Sequence, residues 1–408
     1  MITIKPISNK DRIDYLDILR GMSIFFIFTA NIPFFSGLWF FNPDSPVREI
    51  NLPTDDIFTY LHYVFVDGKF YTIFSMLFGV GCVIQYENAK AKGMSFPKFF
   101  RTRMFSLLII GLIHLFGLWP GDILTLYALL GFILPYFVKK SDKTLLFLAA
   151  GLIAFPIFNW LFMHFSGVFY PELLYHVENL IYFHFNMPTM EFNGSTLPNF
   201  QYYLQNDNIL NFFKMNLGNG FARFGMILEE GRIFKVLGIF LLGIWSGRKI
   251  LKADLLNNKK FLLRAFWIGL IIGLPFNAYR GYLEFYAEKT NLNEFLHVLS
   301  YTLGTVPFAI CIAASIALLC LKEFKFLYLF SSVGKTALTC YLFHTILSII
   351  IFYGFGFNLT GKYGFTIVMG IAILIFSLQV IISRIWLNYF RYGPMEWVWR
   401  KLTYGVKL

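Results

Sequence analysis

The chain has 408 residues, 57% of them hydrophobic, 20% aromatic and only 14% charged, with a formal net charge of +12. A soluble domain carries about 25% charged residues, whereas here the apolar residues come in uncharged blocks of roughly 20, enough to cross ~30 Å of hydrocarbon as helix. This excludes a string of soluble domains and points to an all-α, polytopic transmembrane helix bundle. The basic excess is read as cytoplasmic loop charge and not as nucleic-acid binding. The four cysteines fall inside apolar runs without metal-ligand spacing, so no metal site is expected.

Ten spans are expected. The first covers 15–38 and is read as a retained span, not a cleaved leader. The second covers 57–85, the third 103–119, the fourth 122–138 and the fifth 143–165. Segment 166–232 is too long for a plain connection. Within it, ELLYHVENLIYFHF and NILNFFKMNLGNGFARFGMILEEG mix apolar and polar residues at helical spacing, which predicts interfacial helices on the outer side. Asn193-Gly194-Ser195 is a formal glycosylation acceptor. Spans six to ten follow at 233–250, 261–282, 295–321, 336–357 and 364–388. The chain thus divides into a five-span half, 1–165, an extracytoplasmic insertion, 166–232, and a second five-span half, 233–408. Most of the 35 Lys and Arg lie in alternate connections that include both ends of the chain. The positive-inside rule then makes both termini cytoplasmic.

Ionisable groups inside spans are costly, at ~2.5–3.5 kcal/mol each, and are kept where they face protein or water. Asp17 and Arg20 are three apart and share a helix face as an expected ion pair. Arg20 and Asn31 are eleven apart, three helical turns, and also share a face. In span two, His62 lies near the outer end, and Asp67 and Lys69 flank Gly68. Those two point about 200° apart on a regular helix, so they need not pair. Gly68 marks an expected helix break beside a cavity. His114 and Asp122 flank the turn Trp119-Pro120-Gly121 of an antiparallel hairpin, close in depth to His62 and Asn31. Asp122 also fits a helix cap, and His114 a hydrogen-bonded core histidine. Together they predict a polar cavity opening toward the outer leaflet with a candidate general base. His344 lies mid-span near Thr339, Tyr341 and Thr345, with Ser377 and Gln379 as candidate partners. Trp397, Trp399 and Arg400 form an expected interfacial anchor. No nucleotide-binding motif is present.

Five stretches carry a resemblance: LDILRG at 16–21 with Asn31, GKFYTIFSMLFGVG at 68–81, RTRMFSLLIIGLIHLFGLWPGDILTLYALLG at 101–131, VGKTALTCYLFHT at 333–345 and GPMEWVWRKLTYG at 393–405. The chain resembles the YeiB-like family of bacterial multi-pass membrane proteins, long described as a domain of unknown function. The segment 166–232 carries none of it. That family is distantly similar to membrane acyltransferases. These include bacterial enzymes that acylate surface sugars and the lysosomal heparan-alpha-glucosaminide N-acetyltransferase. Their first span holds an arginine, ten residues, then a histidine or asparagine, which Arg20 and Asn31 match. A further histidine of the lysosomal enzyme corresponds to Asn42, which leaves His114 or His62 to supply a base.

The resemblance implies an acyltransferase in the bacterial cytoplasmic (inner) membrane. It would move an acyl group, acetyl above all, from cytoplasmic acyl-CoA to an extracytoplasmic glycan or lipid head group. Arg20, Lys69 or Arg103 would meet the phosphates or thioester of acyl-CoA. His114 would take the acceptor proton, oriented by Asp122, and Asn31 would hold the acyl carbonyl. The rival reading is a transporter or channel for a small solute or lipid, with the intramembrane charges as its path. Gly68 and Pro275, at equal span number in the two halves, fit that rival. Membrane lipid is an expected partner under both readings, nucleic acid under neither, and a homodimer is compatible with both.

Overall fold

The computed structural model describes residues 14–38, 49–192 and 195–404, so Asn42, Asn193 and Gly194 lie outside the described residues. The expected all-helical bundle is what forms. Its first half holds α1 (Asp14–Phe35), α2 (Asp55–Phe65), α3 (Lys69–Ala91), α4 (Phe96–Gly117), α5 (Leu124–Gly131), α6 (Leu134–Phe137) and α7 (Asp142–Ser166). The insertion folds as α8 (Glu172–His184), a hairpin of β1 (Thr189–Phe192) and β2 (Ser195–Pro198), α9 (Phe200–Gln205) and α10 (Ile209–Glu229). Both expected amphipathic segments are therefore helices, and they pack on each other. The hairpin between them was not foreseen. The remainder is α11 (Arg232–Lys252), α12 (Lys259–Phe285), α13 (Asn291–Leu321), α14 (Leu329–Lys335), α15 (Ala337–Phe352), α16 (Phe365–Tyr389) and α17 (Pro394–Tyr404).

Among the described residues, seven helical runs are long and apolar enough to cross a membrane, taking α2 and α3 together, or eight if the bent pair Lys325–Lys335 and Ala337–Phe352 is one span. The fourth and sixth of the ten expected spans fall short. The fourth splits into α5 and α6, of 8 and 4 residues. The sixth, α11, carries Arg232 and Lys235 in its first turn and Lys249 and Lys252 in its last. α11 instead runs through the interior, with Val236, Ile239, Phe240, Leu241 and Ile244 fully buried between α3 and α7.

Glycines set the closest helix contacts. A Cβ on Gly79 would collide with the Phe240 carbonyl, and one on Gly243 with the Met76 carbonyl, so α3 and α11 touch backbone to backbone. A Cβ on Gly21 or Gly334 would do the same between α1 and α14. Without a hydrophobic force between helices in lipid, such small-residue contacts supply the dispersion energy of association.

The expected break at Gly68 is present. Gly68 takes φ 80° and separates α2 from α3. Pro275 does not interrupt its helix: α12 runs through it, with Asn277 Nδ2 donating to the Gly273 carbonyl at 2.7 Å. The second half is broken elsewhere, at Thr336, where the segment ending in α14 meets α15 at 81°.

Candidate functional site

At the end of the bundle where α1 begins, α1, α3, α4, α14, α15 and α17 enclose a cavity of about 430 Å³. Its outer wall is basic, with Arg20, Lys92, Arg103, Lys335, Arg391 and Arg400. Its shaft is apolar, with Ile24, Ile27, Phe74, Phe78 and Leu107, and Ile123, Leu124, Tyr127 and Tyr341 lie deepest along the helices. The expected polar cavity was to open from the opposite end of the hairpin. The room found instead enters from the Arg20 end, because the bend at Thr336 and the returning helix α17 leave space there.

Each wall residue is held in place. Arg20 Nη1 donates to Asp17 Oδ1 at 2.8 Å, the pair expected from their spacing, and to the Gly334 carbonyl at 3.4 Å. The Arg103 guanidinium lies 3.6 Å from the Trp399 ring, and Trp399 Nε1 donates to the Arg103 carbonyl at 3.0 Å. Glu396 accepts from the amides of Leu338 and Thr339 at 2.6 and 3.2 Å and from Thr339 Oγ1 at 2.6 Å, capping the start of α15. Burial nonetheless pushes the Glu396 carboxyl above its ordinary value.

His114 and Asp122 come together as expected. Both are buried, and His114 Nδ1 stands 3.6 Å from Asp122 Oδ2. Asp122 accepts from the amides of Leu124 and Thr125 at 2.7 and 3.1 Å, so it caps α5 while standing beside His114. His114 Nε2 meets Thr345 Oγ1 at 3.0 Å. Tyr341 lies beside it, ring centroids 5.1 Å apart. Three buried polar atoms here have no hydrogen-bond partner: His114 Nδ1, Tyr341 Oη and Arg223 Nε. His114 does not line the cavity. It is one side chain removed, behind Tyr341.

The other candidates are distributed differently. Asn31 is half-buried and makes no side-chain hydrogen bond among the described residues, and it continues the helical stripe of cavity-lining Arg20, Ile24 and Ile27 by one turn. His62 Nε2 meets Thr29 Oγ1 at 3.1 Å and packs edge-on to Phe365, apart from the His114 cluster. Lys69 does not line the cavity, and its Nζ donates to the Tyr63 carbonyl at 2.9 Å. His344 stacks on Phe28 at 3.9 Å, while Ser377 bonds its own helix at Ile373 and Gln379 donates to the Cys340 carbonyl. Thr345, expected beside His344, serves His114. Sequence reasoning passed over Arg223 and gave Trp399 only an anchoring role. Trp399 acts through Arg103, 296 positions away, and Arg223 was signalled only by its charge in an apolar run.

Bundle and cavity together define a multi-pass helical membrane protein with a basic-walled apolar room that ends beside a buried histidine–aspartate pair. Residues 246–406, which supply α12 to α17, match the family described as protein of unknown function, DUF418. The chain is 29% identical to the uncharacterized protein YxaH of Bacillus subtilis (strain 168), across 99% of this chain and 97% of that one. It is 27% identical to a 39.9 kDa protein from the amylase 3′ region of Bacillus acidopullulyticus, across 98% and 96%. It is 26% identical to the uncharacterized protein YeiB of Escherichia coli (strain K12), across 95% of each. The family match and these relatives are consistent with the YeiB-like family that the motifs indicate. No solved structure matches it.

Proposed function

We propose that the protein is an integral acyltransferase of the bacterial cytoplasmic membrane. It moves an acyl group, acetyl above all, from cytoplasmic acyl-CoA to a hydroxyl of an extracytoplasmic sugar or lipid head group. The observation that carries this reading is the cavity. It has a cationic wall for phosphates, a narrow apolar shaft for a pantetheine arm, and a deep end bordered by Tyr341 next to His114. Lys69 has no part in holding the donor, and Arg20 and Arg103 do.

With His114 Nδ1 turned toward Asp122, Nε2 is the basic nitrogen. The Thr345 hydroxyl now on Nε2 occupies the place an acceptor hydroxyl takes. The acceptor oxygen bonds to the thioester carbonyl carbon and its proton passes to His114. The carbon–sulfur bond then breaks, and the proton leaves on the CoA thiol. Asn31, one turn beyond the cavity-lining stripe, donates to the acyl oxygen. His114 is preferred to His62 as base because its Nδ1 stands 3.6 Å from a carboxylate, whereas Nε2 of His62 meets the Thr29 hydroxyl.

The test is calorimetric titration of acetyl-CoA into purified protein in detergent, beside Arg20→Ala and Arg103→Ala. Saturable binding that weakens about tenfold in each variant, ~1.4 kcal/mol, supports the reading. A folded protein that binds no acyl-CoA overturns it. The rival reading of transport has one observation in its favour: each half holds an interrupted helix, at Gly68 and at Thr336. Solute flux into vesicles without acyl-CoA would favour that rival.

A further inference from the structure

Around the break at Gly68 the bundle holds more buried positive charge than negative. Lys69 and Lys235 are fully buried and Arg280 nearly so. Arg280 Nη2 pairs with Asp67 Oδ2 at 2.8 Å, and Arg232 pairs with Glu230. Among the described residues no carboxylate takes the two lysines. Lys69 Nζ reaches the Tyr63 carbonyl at 2.9 Å, and Lys235 Nζ the Tyr301 carbonyl at 3.2 Å. Aromatic faces do the rest. Lys235 Nζ stands 3.0 Å from the Tyr301 centroid, and Arg280 lies between Tyr63 and Tyr301 at 4.3 and 4.6 Å. Such contacts offset only part of the desolvation of a buried cation. Glu284 does not complete the balance, since it is 47% exposed and reaches only His297, at 3.4 Å.

The cluster also has unused donors. Arg280 Nη1 and Thr305 Oγ1 are buried without hydrogen-bond partners. Both residues border Gly68, where an added Cβ would lie 3.1 Å from Thr305 Cγ2 and 3.8 Å from Arg280 Nη1. Arg280 Nη1 therefore faces bare backbone there, while Thr305 turns its methyl toward it. Nor is the cluster sealed: the Asp67 side chain is 39% exposed and that of His297 28%.

We propose that this cluster is a second site, which binds a phosphate group through Arg280 Nη1, the Thr305 hydroxyl and the charge of Lys69 and Lys235. Basic side chains in excess of carboxylates match a phosphate anion, and a guanidinium edge with a free N–H is the geometry phosphate takes. The proposal does not depend on acyl transfer.

The experiment measures the unfolding midpoint of the full chain in neutral detergent. One arm titrates inorganic phosphate against chloride at equal ionic strength. The other titrates phosphatidylglycerol against phosphatidylcholine in mixed micelles. The variants are Lys235→Met and Thr305→Val, and the second removes only a hydroxyl that has no partner. A saturable rise in the native chain, with half-saturation shifted at least tenfold in both variants, is the expected result. A rise with phosphatidylglycerol alone assigns a lipid head group, and a rise with inorganic phosphate assigns a soluble ligand. A flat response in both arms overturns the proposal, as does an equal rise in native and variant chains.

Discussion

His114 on α4 and Thr345 on α15 meet at 3.0 Å across 231 positions of sequence, both of them buried. The bond ties the hairpin that carries Asp122 to the helix that follows the bend at Thr336. In the acyl-transfer reading it is also the contact a substrate hydroxyl must displace. His114→Ala is expected to keep acetyl-CoA affinity within about twofold while transfer falls by about 10²–10⁴. Thr345→Val should lower transfer by less than tenfold, because it removes a placeholder and not the base. Single-turnover acetyl transfer with titration calorimetry separates the two. A Thr345→Val loss as deep as that of His114→Ala would place the hydroxyl itself in the chemistry.

Arg103 and Trp399 offer a cleaner probe of the basic end of the cavity, the donor end in the acyl-transfer reading. The guanidinium sits 3.6 Å from the indole, so charge and stacking act at one point. Arg103→Lys keeps the charge and loses the planar stack. It is expected to weaken acetyl-CoA binding about threefold, against about tenfold for Arg103→Ala. Equal losses in the two variants would mean that stacking, not phosphate attraction, is what Arg103 supplies.

Glu178 on α8 lies outside the membrane-crossing helices and is 8% exposed. Burial raises its carboxyl to about 7, against a partial lowering by the hydrogen bond from Tyr182. The folded state therefore holds this proton more tightly than the unfolded state. Stability from this group is full below the unfolded value of 4.5 and is lost as pH rises through about 7. The loss is up to ~3 kcal/mol. Unfolding midpoints between about pH 4 and pH 8 should fall in the native chain and fall less in Glu178→Gln. Parallel slopes would show that other groups carry the pH dependence.

The backbone contact between Gly79 and Gly243 predicts a graded response to size. Gly243→Ala should lower stability by about 1–3 kcal/mol through overpacking against the Met76 carbonyl. Gly81, where a Cβ meets nothing within 4 Å, is the matched control. Gly81→Ala should leave the unfolding midpoint unchanged or raise it, since alanine is the better helix former. A comparable drop at both positions would mean that any added methyl is poorly tolerated, and that the α3–α11 approach is not what is being read.

Much of the bundle was legible because lipid imposes length and polarity on each helix separately. α1, α4, α7, α12, α13 and α16 match expected spans for that reason, and Gly68 marked its own break. The pairing of His114 with Asp122 was legible because a short hairpin fixes their depth. The rest depends on distant partners. α11 fails as an apolar span because it carries charge at both ends, and what those side chains touch lies on α3, α13 and the turn before it, which periodicity cannot see. The bend at Thr336 has no proline or glycine at its vertex, and Glu396, nearly sixty residues away, caps the helix beyond it. The direction of the cavity followed from that bend, so it too was hidden.

The helix α17 supplies Glu396, Trp399, Arg400 and Tyr404 to the cavity wall. A chain interrupted before Pro394 would keep the helices that cross the membrane, but it would have no enclosed room and no cap on α15. During synthesis, insertion into the membrane can therefore run to completion before the cavity exists. A nonsense variant at this position would be expected to yield a protein that is present and correctly threaded yet inert.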